Sequence, residues 1–188
     1  VTVTSIAKKN NFIIVSAVIN EHFVGGQTSI DDRTYKFWEF GMSKLRRIAL
    51  LVVVLLSCVG CDRATKIIAR QELATAPMQE YWNGFFRLVY AENPGAFLSL
   101  GANLHPELRY WVFTVFVALL LGGLTWFALR YIQRTPVPFV IAVALIAGGG
   151  LGNLIDRLLY NGHVVDFMQI GYSPLRTGVF NVADMAIM

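Results

Sequence analysis

Tyr110 to Leu129 is a run of 20 residues without a charge. No other feature restricts the chain as much. As a helix rising about 1.5 Å per residue it would be roughly 30 Å long, the thickness of a bilayer's hydrocarbon core. A soluble domain would have to bury such a helix on every side. The composition offers little to do that with: 15% of residues are charged, 55% are hydrophobic, and mean hydropathy is +0.54. Soluble domains carry about 25% charged residues. An α-helical integral membrane protein is the expected class. The same apolar content excludes a disordered chain. Six prolines and 16 glycines in 188 residues exclude a collagen-like or low-complexity one.

Further apolar segments complete a four-helix plan, with spans near 45–68, 110–129, 138–156 and 179–188. Ile48 to Cys61 carries no charge, and Gly148-Gly149-Gly150 and Gly152 in the third segment permit close helix contact. The last segment is incomplete: ten residues rise only about 15 Å. A truncated fourth transmembrane helix, and so a C-terminal fragment, is expected. Between the first two spans, Trp82-Asn83-Gly84-Phe85-Phe86 reads as a turn entering an aromatic, β-branched strand. A small extracytoplasmic β-sheet is expected there.

Residues 1–41 differ from the rest. They carry four basic and four acidic residues and no long apolar run, so the net charge of +4 lies wholly in residues 42–188. Met42-Ser43-Lys44-Leu45-Arg46-Arg47 followed by an apolar helix has the form of a bacterial start. The first 41 residues read as an N-terminal extension that is not native, or else as a cytoplasmic tail, ahead of a membrane domain over 42–188. Lys44, Arg46 and Arg47 precede the first span, and Arg130 and Arg134 separate the second from the third. Basic residues collect on the cytoplasmic side. Both termini are therefore expected in the cytoplasm, and the basic balance calls for no nucleic-acid partner. Cys58 and Cys61 lie inside an apolar run with no second pair to complete a zinc site. They are expected as packed, unpaired thiols, with no metal.

Polar groups at the span ends carry the chemical information, because each is costly in lipid unless paired. Asp62 and Lys66 are four apart on one helix face, in the favourable order for an ion pair. They are either structural or substrate-holding. Asn93-Pro94-Gly95-Ala96-Phe97 is either a plain turn or part of a site. Asn153 and Arg157 share a face beside Asp156, as a buried network would require, although Arg157 could instead reach the interface. Asp166 sits amid apolar neighbours. Asp184 begins the last segment with Asn181 three residues earlier, where Asn181 could also cap the helix. Two carboxylates brought together share a proton, hold a water as general base and protonate a leaving amine as general acid. Spacing alone leaves open whether these two meet.

Asp62-Arg63-Ala64-Thr65-Lys66, Asn93-Pro94-Gly95-Ala96-Phe97, Gly152-Asn153-Leu154-Ile155-Asp156-Arg157, Val164-Val165-Asp166-Phe167 and Phe180-Asn181-Val182-Ala183-Asp184 occur in this order. Together they closely resemble lipoprotein signal peptidase, signal peptidase II, over about Met42 to Met188. The resemblance implies an aspartyl endopeptidase that removes the signal peptide from diacylglyceryl-modified prolipoproteins at the outer face of the bacterial inner membrane. It implies Asp166 and Asp184 as the catalytic pair. It implies Asp62, Lys66, Asn93, Gly95, Asn153, Arg157 and Asn181 as substrate-binding or supporting residues. No cofactor or metal is implied. Lipid-modified prolipoproteins and membrane lipids are the implied partners, and a monomer is expected. The antibiotic globomycin would be expected to occupy the same site.

Two other readings compete. Leu55-Leu56-Ser57-Cys58 after a basic start also looks like a lipobox, which would make the chain a substrate. A signal peptide, however, precedes a soluble domain, and here further apolar spans follow. Buried Asp and Arg also mark ion paths, but the spans show no internal repeat of the usual transporter kind.

Overall fold

The computed structural model describes residues 42–95 and 101–188. The expectations for residues 1–41, and for Ala96 and Phe97, lie outside them.

Ser43 starts the first helix by accepting a hydrogen bond from the Arg46 amide at 3.4 Å. Helix α1 then runs Lys44–Leu73, 30 residues and roughly 45 Å. It continues past the expected end at residue 68, because nothing between Ile68 and Leu73 breaks a helix. Its buried residues are Arg47, Leu51, Cys58, Asp62, Lys66, Ala69 and Leu73. They recur every three or four positions, or in multiples of that, so they form one stripe. The other faces expose Val52, Val53, Leu56, Ile67 and Ile68. Polar groups inside and apolar groups outside invert the soluble arrangement. Lipid provides the surroundings that such a surface needs. Cys58 is buried and Cys61 is exposed, both as free thiols, so only Cys58 is packed as expected.

Helix α2 spans Pro106–Arg130, with a π-helical segment over Trp111–Phe116. Helix α3 spans Val137–Leu159. Among the described residues α1, α2 and α3 are the helices long and apolar enough to cross a membrane. Half of the apolar window of α3 is buried, against 11% in α2, so α3 is the central helix. Its glycines explain how. A Cβ on Gly148 would lie 2.8 Å from the Cβ of Cys58, and one on Gly149 would lie 2.5 Å from the Ala183 carbonyl oxygen. One on Gly152 would lie 2.5 Å from Asp62 Oδ2. The run thus meets α1 and the chain's last segment at backbone distance.

The expected strand after Asn83-Gly84 is present. Strand β1 (Gln79–Tyr81) and strand β2 (Phe86–Asn93) flank a turn in which Trp82, Asn83 and Gly84 have φ of 52°, 55° and 80°. Two more strands join them, β3 (Val164–Tyr172) and β4 (Leu175–Arg176), in an antiparallel sheet of order β1-β2-β3-β4. The segment around Asp166, marked in the sequence only as an acid amid apolar neighbours, is therefore the sheet's longest strand. Gly171 has φ 116° at the β3–β4 turn, and a Cβ there would collide with the Leu175 carbonyl oxygen. Beyond β4 the chain returns along β3: Phe180 donates to the Met168 carbonyl at 2.8 Å and accepts from the Met168 amide at 2.9 Å. Residues 179–181 are thus not helical. Helix α4 begins only at Val182 and runs to Ile187, six residues, three later than the expected start.

Two apolar cores result. Leu51 of α1, Ala128 of α2, and Val140, Val143 and Ala144 of α3 surround Ile132 at one end of the bundle. Ala69, Leu73 and Phe167 join the sheet to the other end of α1. Arg47 Nη1 donates to the Ile132 carbonyl at 2.8 Å, so the start of α1 and the α2–α3 turn lie at the same end.

Candidate active site

Between the two cores the contact surface turns polar. Asp62, Lys66, Asp156, Asp166 and Asn181 are each at least 98% buried. Lys66 Nζ lies 2.8 Å from Asp62 Oδ2, 2.9 Å from Asp156 Oδ2 and 2.8 Å from Asn153 Oδ1. Asp156 is also paired with Arg63. Two acids and two bases make this quartet neutral in itself, which lets it persist away from water.

The quartet reaches beyond its own helices. Asp62 Oδ1 accepts from the Ala183 amide at 2.9 Å. That amide is in the first turn of α4, so a carboxylate of α1 caps the helix that carries Asp184. Asp156 Oδ2 accepts from the Val165 amide at 3.1 Å, one residue before Asp166. One cluster of charges therefore fixes the backbone beside both candidate carboxylates.

Asp166 and Asp184 come from different elements and share a neighbour. Asn181 Nδ2 donates to Asp166 Oδ1 at 2.6 Å, while the Asn181 amide donates to Asp184 Oδ2 at 3.2 Å. Asn181 Oδ1 accepts from the Asp184 amide at 3.0 Å, closing a capping box. Asp184 Oδ1 takes a further bond from Asn153 Nδ2 at 2.9 Å, and Asp166 Oδ2 one from Asn93 Nδ2 at 3.0 Å. The β3–β4 hairpin makes this possible, since it returns Phe180 to Met168 and so sets Asn181 against Asp166. Burial pushes the Asp166 carboxyl up to about 6; the Asn93 amide opposes the shift and the charge of Asp184 adds to it.

Asn93 Oδ1 accepts from the Gly95 amide at 2.9 Å, and Arg157 Nη2 donates to the Gly95 carbonyl at 2.8 Å. The turn after β2 is thus held at both groups of Gly95. Arg157 turns onto the Gly95 and Asn153 carbonyls. Every residue expected at the site from sequence falls in one network: Asp62, Lys66, Asn93, Gly95, Asn153, Arg157, Asp166, Asn181 and Asp184. Sequence reasoning missed Arg63, which neutralises Asp156. Its signal was faint: a base directly beside Asp62 at a span end. Among the described residues no group of three or more His, Cys, Asp or Glu side chains is placed to hold a metal ion.

Comparison with known proteins agrees with this arrangement. A family model described as signal peptidase (SPase) II matches residues 51–188. A lipoprotein signal peptidase of Pseudoalteromonas atlantica is 38% identical over 151 residues, covering 79% of this chain and 85% of that protein. One of Syntrophotalea carbinolica is 34% identical over 144 residues, covering 77% and 87%. One of Leifsonia xyli subsp. xyli is 35% identical over 146 residues, covering 75% of this chain and 62% of that longer relative. Among solved structures, a bacterial membrane enzyme determined by the in meso method at 2.3 Å superposes with a TM-score of 0.61 and 25% identity, over 74% of this chain and 81% of that one. A second, at 1.9 Å, gives 0.59 and 26%, over 74% and 86%. The chain belongs to the signal peptidase II family, the aspartic-type signal peptidases of the bacterial inner membrane.

Proposed function

We propose that Asp166 and Asp184 are the catalytic pair with which this chain cleaves the signal peptide from diacylglyceryl-modified prolipoproteins. The observation that carries this reading is the shared Asn181: one side chain and its own amide reach both carboxylates. Charge supports it. The quartet around Lys66 is self-neutral, so Arg157 is the cation left to face two aspartates. One shared proton brings that group to neutrality. The ionised carboxylate takes a proton from water as the water oxygen attacks the scissile carbonyl carbon. The protonated carboxyl gives its proton to the carbonyl oxygen. As the C–N bond breaks, the leaving nitrogen takes a proton from the dyad while a hydroxyl of the tetrahedral intermediate gives its proton back to it, so the carboxylates return to one proton between them. Asn93, Asn153 and Asn181 fix the carboxylate oxygens, and Arg157 with Gly95 shapes the turn over the site.

The orientation follows from charge. Lys44, Arg46, Arg47, Arg130 and Arg134 lie at one end of the bundle, which is assigned to the cytoplasm together with both termini. Lys66 is 22 residues beyond Lys44, roughly 33 Å along α1. The carboxylates thus sit about one hydrocarbon thickness away, at the outer face. The chain works as a monomer among membrane lipids, without a cofactor.

The test is cleavage of a lipidated preprolipoprotein by the purified full chain in detergent. Asp166→Asn and Asp184→Asn are each expected to lose about 10³-fold or more in turnover while still inserting. Wild-type turnover in either variant would overturn the dyad.

A further inference from the structure

A polar cavity lies at the sheet end of the bundle, where α2 begins and α3 ends. It holds about 310 Å³ and is lined by Arg109, Tyr110 and Thr114 of α2 and by Arg157, Leu158 and Asn161 on the other side. Two guanidinium groups border it. Arg109 Nη1 donates to the Ala102 carbonyl at 3.3 Å, and Arg157 to the carbonyls of Gly95 and Asn153 at 2.8 and 3.3 Å. Neither has a carboxylate within ion-pair distance among the described residues. Arg157 Nε is buried and has no hydrogen-bond partner. Carbonyl oxygens satisfy donors but do not neutralise charge. Arg109 is a cation without a counter-charge beside the cavity, and Arg157 lines the same wall, so an anion fits there.

The rim decides which anion. Leu158 is 69% exposed, and Tyr110, which also lines the cavity, and Trp111, next to it in sequence, are exposed as well. An inorganic ion has no use for an apolar rim, whereas a phospholipid carries acyl chains below its phosphate. Depth fits too, because the cavity is level with the ends of two membrane-crossing helices, where lipid phosphates lie.

We propose that this cavity binds the phosphodiester of an anionic phospholipid, with Arg109 and Arg157 on the phosphate and the acyl chains over Leu158 and Trp111. The site is separate from the carboxylate pair, although Arg157 borders both.

The full chain is reconstituted into phosphatidylcholine vesicles containing a minority of phosphatidylglycerol, re-extracted in mild detergent and weighed by native mass spectrometry. Wild type is expected to retain one phosphatidylglycerol. Arg109→Gln should retain about tenfold less, and Arg109→Lys, which keeps the charge, should restore most of it. Arg176→Gln, an arginine of β4 outside the cavity, should match wild type. Equal retention by Arg109→Gln would overturn the proposal. So would loss in Arg109→Lys as deep as in Arg109→Gln, or equal loss in Arg176→Gln. Inorganic phosphate added to the vesicles should leave the lipid bound, and displacement would show a free-anion site instead. Asp184→Asn should keep its lipid while losing cleavage, so this proposal and the catalytic one fail separately.

Discussion

The contact between α1 and α3 changes character along its length. Toward the basic end it is made by Leu51, Val140, Val143 and Ala144, apolar and shape-matched. Toward the sheet the same two helices meet through Asp62, Lys66, Asn153 and Asp156. Apolar packing holds the helices together but tolerates small shifts, since dispersion falls off gradually and has no direction. Charge-assisted hydrogen bonds fix distance and angle. The polar half is also the half that touches α4 and β3, through the Ala183 and Val165 amides. The apolar half therefore supplies cohesion and the polar half supplies position.

The largest effect expected from breaking this division is at Lys66. Lys66→Met keeps the stem but strips the cation from two buried carboxylates, at a cost of about 3–5 kcal/mol. Asp62 then loses its fixed place under the Ala183 amide, and α4 shifts. A displacement of about 1 Å at a catalytic group costs on the order of 10²-fold in rate. Turnover should fall further than the loss of folded protein explains. Adding Asp62→Asn, which removes the stranded charge, should recover stability more than turnover. Melting temperature and single-turnover cleavage, measured side by side, check both.

Leu51→Ala attacks the other half. It removes a buried side chain from the apolar core and should cost about 3 kcal/mol. Because no polar contact to α4 or β3 runs through Leu51, the fraction that remains folded should cleave at close to the wild-type rate. A drop in turnover per folded molecule as large as that of Lys66→Met would erase the distinction between the two halves.

Sequence reached these halves unequally. The apolar stripes were plain, because a charge-free run of 20 residues has few alternative fates. The ion pair Asp62–Lys66 was legible from its spacing of four. The meeting of Asp166 with Asp184 was not, because it depends on a hairpin. Val164–Tyr172 is a strand buried at its first four residues, so it lacks the alternation that marks a half-exposed strand. No strand is marked there in the sequence for that reason. The same hairpin keeps residues 179–181 extended, and this is why the last apolar segment starts its helix late. Arg63 escaped notice because its partner, Asp156, is 93 residues away. Motif resemblance could name the carboxylates, but the reason they meet is tertiary.

Gly149 and Gly152 probe the seam more gently. Alanine at Gly149 would press on the Ala183 carbonyl and at Gly152 on the Asp62 carboxylate. Each should cost about 1–3 kcal/mol through overpacking. Both substitutions lie on the polar half, so both should lower turnover per folded molecule, whereas Gly122→Ala on α2, where a Cβ meets nothing within 4 Å, should be silent. Equal turnover in all three would mean that the glycine run serves helix association alone.

The smallest expected effect is the most specific. Asp166 is held at about 6 in the folded protein, above its ordinary value, chiefly by burial. Its contribution to stability is therefore present below about pH 4 and is lost as pH rises through about 6. The proton needed for cleavage leaves over the same range, so kcat/KM should fall on an alkaline limb set by the pair. Asn93 donates to the Asp166 carboxylate and so favours its charged form. In Asn93→Ala that donor is lost, and the limb should move up by about half a pH unit. In Asn93→Asp the Gly95 amide keeps its acceptor, but a like charge now faces Asp166, and the limb should move further in the same direction. A pH profile of kcat/KM for the three proteins reads the order directly. A limb that stays put in Asn93→Asp would mean that Asp166 does not hold the proton, and that Asp184 carries it while the polar half of the seam merely places Asp166 as its base.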